Sequence, residues 1–137
     1  MKPLKLLLSI VVVLGSLMTT TKTFTATVPQ TSRTDSGGGV TVKVTPLDTK
    51  GSGDFRFQVA LDTHSVNLDG YDFKAITLLR DDAGNNYLPT SVENKGSGHH
   101  REFTVTFAKI ASAKSVELVI KDVAKVKERI FRWELTN

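Results

Sequence analysis

From Val40 to Leu135 the chain alternates apolar and polar side chains with a period of two, and this rhythm dictates a sheet protein. Val40, Val42 and Val44 alternate with Thr41, Lys43 and Thr45, and Pro46 closes the run. Phe55, Phe57, Val59 and Leu61 alternate with Arg56, Gln58 and Ala60. Successive side chains of a strand point to opposite faces, so each run reads as a half-buried strand. Residues 71–80 read as a third strand, with Ile76, Thr77, Leu78 and Leu79 indicating burial on both faces at one end. Residues 87–92 read as a short fourth strand, and Pro89 assigns it to an edge because proline donates no ladder hydrogen bond. Phe103, Val105 and Phe107 mark a fifth strand, and Val116, Leu118 and Ile120 a sixth. On the last, Phe131, Trp133 and Leu135 face inward while Arg132 and Glu134 face outward.

The punctuation agrees with this reading. Gly51-Ser52-Gly53 is a turn, residues 63–70 are a polar loop, Asp81-Asp82-Ala83-Gly84-Asn85-Asn86 is a dense turn signal, and residues 93–100 form a Gly-rich loop. Residues 108–129 also fit a helical stripe through Val116, Val119, Ile120, Val123 and Ile130. The clustered β-branched residues at 116–120 and the need of neighbouring strands for a partner favour strands there. About seven short strands with frequent turns predict an all-β fold, a single antiparallel immunoglobulin-like β-sandwich over residues 40–137. The six aromatics Phe55, Phe57, Phe103, Phe107, Phe131 and Trp133 then fill the space between the sheets. With no cysteine, and with its single Trp on the last strand, the chain lacks the antibody-domain signature.

The N-terminus has a different character. Lys2 and Lys5 precede residues 6–18, which are apolar except for Ser9, Gly15 and Ser16. A basic start followed by a short apolar run is the pattern of an export signal. The run is shorter than the ~20 residues that span a bilayer comfortably. Residues 1–26 are thus expected to be a signal peptide or, left uncut, an N-terminal anchor and the chain's only link to a membrane. The protein is expected outside the cytoplasm: periplasmic, secreted or at the cell surface. Residues 27–39, rich in Thr, Ser and Gly, read as a flexible linker.

The net charge of +4 arises largely in this leader: removing Lys2, Lys5 and Lys22 from 18 basic residues leaves 15 against 14 acidic ones. The signs alternate along the strands, so no basic stripe for nucleic acid is expected. The absence of cysteine excludes disulfides, thiolate metal sites and a thiol nucleophile.

Several segments, namely Leu61-Asp62-Thr63-His64, Leu79-Arg80-Asp81-Asp82-Ala83-Gly84, Gly98-His99-His100-Arg101 and Glu128-Arg129-Ile130-Phe131-Arg132-Trp133, give the chain a wider likeness. It resembles a family of small exported prokaryotic domains with immunoglobulin-like sandwiches. The resemblance covers roughly residues 40–135. It implies the same fold and export, and it carries over no catalytic residue.

Strands that alternate in direction bring particular loops together. His64, His99 and His100 are expected at one end of the sandwich, with Asp62, Asp69, Asp72 and Asp122 near them. Imidazole with carboxylate suits copper or zinc, so His64, His99, His100 and Asp62 are the candidate metal ligands. The 81–86 turn lacks the alternate spacing and closing Glu of a calcium loop and reads as a hairpin turn. No Gly-x-Ser-x-Gly or His-Glu-x-x-His motif is present, and Ser97 beside His99 in a Gly loop is a weak nucleophile signal. The expected protein is therefore not an enzyme and needs no cofactor. It is a binding module for a protein or small ligand; the alternatives are a copper- or zinc-binding protein and a passive structural domain.

Overall fold

The computed structural model describes residues 20, 21 and 25–136. The expected signal or anchor lies, except for residues 20, 21, 25 and 26, outside the described residues. Nine strands and one short helix follow in order: β1 (Arg33–Gly37), β2 (Val40–Leu47), β3 (Phe55–Thr63), α1 (Phe73–Ile76), β4 (Thr77–Asp81), β5 (Asn86–Tyr87), β6 (Ser91–Ser97), β7 (His100–Phe107), β8 (Ser115–Val123) and β9 (Val126–Glu134). They form two antiparallel sheets, ordered β1-β2-β3-β7-β6 and β5-β4-β8-β9. Among the described residues no helix is long and apolar enough to cross a membrane.

The period of two is realised as expected. β2 and β3 bury every second side chain, and Val42, Val44, Phe57, Val59 and Leu61 are wholly inaccessible. The aromatics join the sheets: Phe57 lies 5.2 Å from Trp133 and 6.4 Å edge-on to Phe107, while Phe73 stacks on Phe103 at 4.5 Å. The fold is an antiparallel β-sandwich with this cluster at its centre. Residues 115–134 form the β8–β9 hairpin, not a helix.

Five expectations are corrected. There are nine described strands where about seven were expected. Residues 27–39 are not a free linker, and the sandwich does not begin at residue 40. Arg33–Gly37 pairs with β2 from Arg33↔Val44 to Gly37↔Val40, and Thr27 and Thr136 exchange backbone hydrogen bonds of 2.8 and 3.0 Å. The Trp133 indole also donates to the Thr31 carbonyl at 2.8 Å. This strand is held by its backbone and by reaches from the last strand, so its own polar side chains carry no burial signal.

Residues 71–80 are not one strand. Asp72 accepts from the Lys74 and Ala75 amides, which caps α1 before the chain extends into β4. Residues 87–92 are also divided: β5 ends the smaller sheet, β6 ends the larger one, and Leu88, Pro89 and Thr90 pass between them. Pro89 thus marks a crossing between two edges. Finally, residues 93–100 are largely strand. β6 pairs with β7 up to Ser97↔His100, leaving the two-residue connection Gly98-His99. Gly98 has φ +67°, as the first residue of a tight hairpin turn demands. A Cβ on Gly96 would lie 2.5 Å from the His100 carbonyl oxygen, so this edge admits only glycine there.

Leu78 and Val119 are buried on the outer face of the smaller sheet, as the Ile76–Leu79 run suggested. Their register, Leu78↔Val119↔Ile130, is flanked by the row Arg80↔Glu117↔Arg132. The Arg80–Glu128 contact of 3.6 Å runs diagonally across β8 from the Arg80 row to the Lys121↔Glu128 pair on the other side of the apolar row, and so passes over Val119.

Candidate functional site

Four connections meet at one pole of the sandwich: the Gly38-Gly39 turn, the 64–72 loop, the Gly98-His99 turn and the Ala124-Lys125 turn. Strand register places them together. Gly37↔Val40, Val40↔Thr63 and Asp62↔His100 are successive rungs at this end of the larger sheet. The smaller sheet joins through Tyr71, whose hydroxyl accepts from the Ala124 amide at 3.0 Å. Gly38 has φ +60°, and a Cβ on it would lie 2.0 Å from the Ala124 carbonyl oxygen. The first and last turns touch so closely that only glycine fits.

The loops are tied to one another mainly through backbone groups. Thr63 Oγ1 donates to the Gly39 carbonyl at 2.7 Å and accepts from the Ser65 and Val66 amides. The Leu68 amide donates to the Gly98 carbonyl at 3.1 Å, and the Gly98 amide donates to Asp69 Oδ1 at 2.8 Å. Arg101 lies beneath: it donates to the Leu68 carbonyl and to Asn94, and its guanidinium sits 5.2 Å over the Phe73 ring.

The β8–β9 turn is strained. Ala124 and Lys125 have φ +53° and +64°, and Asp122 just before them has φ +55°. A two-residue hairpin with both central residues left-handed normally uses Asn-Gly or Gly-Gly. Here residues with a Cβ occupy a region that costs each roughly 1–2 kcal/mol. Non-glycine residues in this conformation concentrate where a protein binds or switches.

The structure does bring all three histidines to this pole, but not into one shell. His100 Nδ1 lies 2.5 Å from Asp62 Oδ1, with the two side chains 75% and 62% exposed. The His99 ring turns the other way, with Nδ1 3.0 Å from the Val66 carbonyl. His64 is exposed at the start of its loop. Among the described residues no three His, Asp or Glu side chains gather where they could hold a metal ion. Of the candidate ligands, the structure pairs Asp62 with His100 and leaves His64 and His99 apart from that pair. Asp69 and Asp72 instead organise the loops, through the Gly98 amide and the α1 cap.

At the opposite pole the 81–86 segment is the expected hairpin turn. Asp81 accepts from the Ala83 and Asn85 amides, from the Asn85 side chain and from the Tyr87 hydroxyl. These bonds, the Asn85 side chain foremost, hold the Asp81 carboxyl below its ordinary value. Asp82 is lowered too, chiefly by the Lys114 amide at 2.7 Å. The aspartates are occupied in closing turns.

Sequence reasoning missed one buried group. Arg129, 1% exposed, reaches from β9 to β1: it meets Asp35 at 2.6 Å and donates to the Gly37 carbonyl at 2.6 Å and, more weakly, to Val40 at 3.5 Å. Its parity with Phe131 and Trp133 was the available signal.

No family model matches the chain, and neither the curated proteins nor the solved structures contain a significant match to it.

Proposed function

We propose that this is a non-enzymatic extracytoplasmic binding module whose recognition surface is the pole formed by the four connections. The observation that carries the reading is the run of three left-handed residues, Asp122, Ala124 and Lys125, in one turn, where the opposite pole has only the isolated Lys50 and Ser112; the run packs against Gly38 and beside the cross-tied 64–72 loop. Left-handed non-glycine residues persist only where surrounding structure enforces them. Loops fixed on a rigid sandwich are where recognition commonly resides. The basic and apolar leader supports a location outside the cytoplasm.

A copper or zinc reading has one start, the Asp62–His100 pair. Zinc sites use three or four protein ligands, so the module reading is preferred. One experiment separates them. Backbone amide spectra of the labelled protein are followed while short peptides, oligosaccharides and zinc chloride are added in turn. Shifts from an organic probe at residues 64–72, 98–100 and 122–125 support the module. Saturable one-to-one shifts with zinc, abolished in His100→Ala, favour the metal. Shifts confined to the strand faces or to the opposite pole overturn both.

A further inference from the structure

β9 ends the smaller sheet with one edge open. Residues of a strand direct their N–H and C=O alternately to the two sides. The Leu135 amide donates to Lys114, on the β8 side, whereas Thr136 exchanges both backbone bonds with Thr27 on the other side. Glu134, Arg132, Ile130 and Glu128 share the parity of Thr136, so their backbone groups point away from β8. Thr27 supplies one rung, and among the described residues no strand continues it along β9. Beside this edge runs a groove lined by Arg33, Thr34 and Asp35 on one side and Ile130, Arg132 and Glu134 on the other. Ile130 is 48% exposed, one of two exposed large apolar side chains among the described residues.

We propose that the open edge of β9 pairs with β9 of a second copy of this chain, antiparallel about a twofold axis at Ile130. The choice of partner comes from charge complementarity. In that register Ile130 opposes Ile130 of the other copy, Glu128 opposes Arg132, and Arg132 opposes Glu128. All three positions carry outward backbone groups, so the same register completes the hydrogen-bond ladder. An isologous contact requires a self-complementary surface of this kind. The two smaller sheets become one eight-stranded sheet, and the exposed Ile130 side chains meet at its centre.

The competing intrachain contacts are weak. Glu128 lies 3.6 Å from Arg80, Arg132 lies 3.0 Å from Glu134 and 3.5 Å from Glu117, and all but Arg80 and Glu117 are more than a third exposed. Natural edges are commonly protected by charge; here the charges are ordered so that a copy of the edge satisfies them. The interface lies along a strand and is independent of the loop pole, so it stands or falls apart from the proposed recognition surface.

The test is the molar mass of the full chain by light scattering across a concentration series, with circular dichroism confirming the fold of each variant. The native chain should shift from monomer to dimer with rising concentration. Glu128→Arg and Arg132→Glu each oppose like charges at two symmetric positions and should weaken dimerisation about tenfold or more. The double variant E128R/R132E restores opposite charges and should regain the dimer. Ile130→Pro removes an outward N–H that no described strand uses and should leave a folded monomer. A native chain that stays monomeric to millimolar concentration overturns the proposal, and so does a dimer that the single reversals leave intact or the double variant does not restore.

Discussion

Replacing Asp35 by Ala should loosen the whole N-terminal seam, because it leaves the Arg129 guanidinium buried without its counter-ion. The Arg129 side chain has no exposed surface, while Asp35 is 45% exposed. Breaking a fully buried pair from one side costs about 3–5 kcal/mol. Water reaches the Asp35 carboxylate, and the Gly37 and Val40 carbonyls still receive the guanidinium, so about 2–3 kcal/mol is expected for Asp35→Ala. For a domain of this size that corresponds to a melting point lower by roughly 8–15 °C.

Arg129→Met removes the charge but leaves two carbonyls without their donor, and should cost about 1–2 kcal/mol. The double variant D35N/R129M should lie nearer the native protein than the sum of its single variants, since neither charge is then stranded. Urea unfolding measures all of these. Amide exchange at residues 33–37 should accelerate more than exchange at β3 in Asp35→Ala. An Asp35→Ala loss below about 0.5 kcal/mol, the scatter of ordinary surface substitutions, would refute the view that this ion pair fastens β1.

Two further outcomes follow from the turns. Lys125→Gly should stabilise the domain by about 1 kcal/mol, because glycine adopts φ +64° without the Cβ clash; a lower urea midpoint for this variant would contradict the strain. The Tyr87 hydroxyl donates to Asp81 at 2.8 Å, which raises the phenol above its ordinary value of 10.0. A raised group stabilises the fold fully below its unfolded value and loses that contribution as pH rises through the folded one. Stability should therefore decline above pH 10.0 in the native protein and less steeply in Tyr87→Phe, as thermal melts would record. Asp81 and Asp82 have the opposite sign: both are lowered from 3.8, so their contribution is complete above that pH and fades as acidity increases below it.

The strands that bury one face were legible because their side chains alternate. β2, β3, β7 and the two halves of the last hairpin all carry apolar residues at every second position, and direction alternation then placed the histidines at one pole. Three elements held by backbone geometry were not legible. β1 presents only Arg, Thr, Asp, Ser and Gly, and its anchors are Trp133 and Arg129, about a hundred residues away in the chain. β6 is an exposed edge whose polar residues and glycine resemble a loop, yet Gly96 is required by the approach of the His100 carbonyl. The Ala124-Lys125 turn lacks any glycine or asparagine, so the local rule for a two-residue hairpin gave no signal. The imidazoles' shared pole was readable, but their hydrogen-bond partners were not: proximity follows from topology, whereas the Val66 carbonyl and Asp62 divide the rings according to local side-chain direction.

The rung between Thr27 and Thr136 has a mechanical meaning. It brings residues 27 and 136 to the same pole, across from His64 and the Gly98-His99 turn. A support fastened at that rung would hold the histidine pole outward. Tension applied across residues 27 and 136 would fall first on the hydrogen bonds of this rung and then on the Trp133 and Arg129 ties, and would reach the other interlocked aromatics only once the seam has opened.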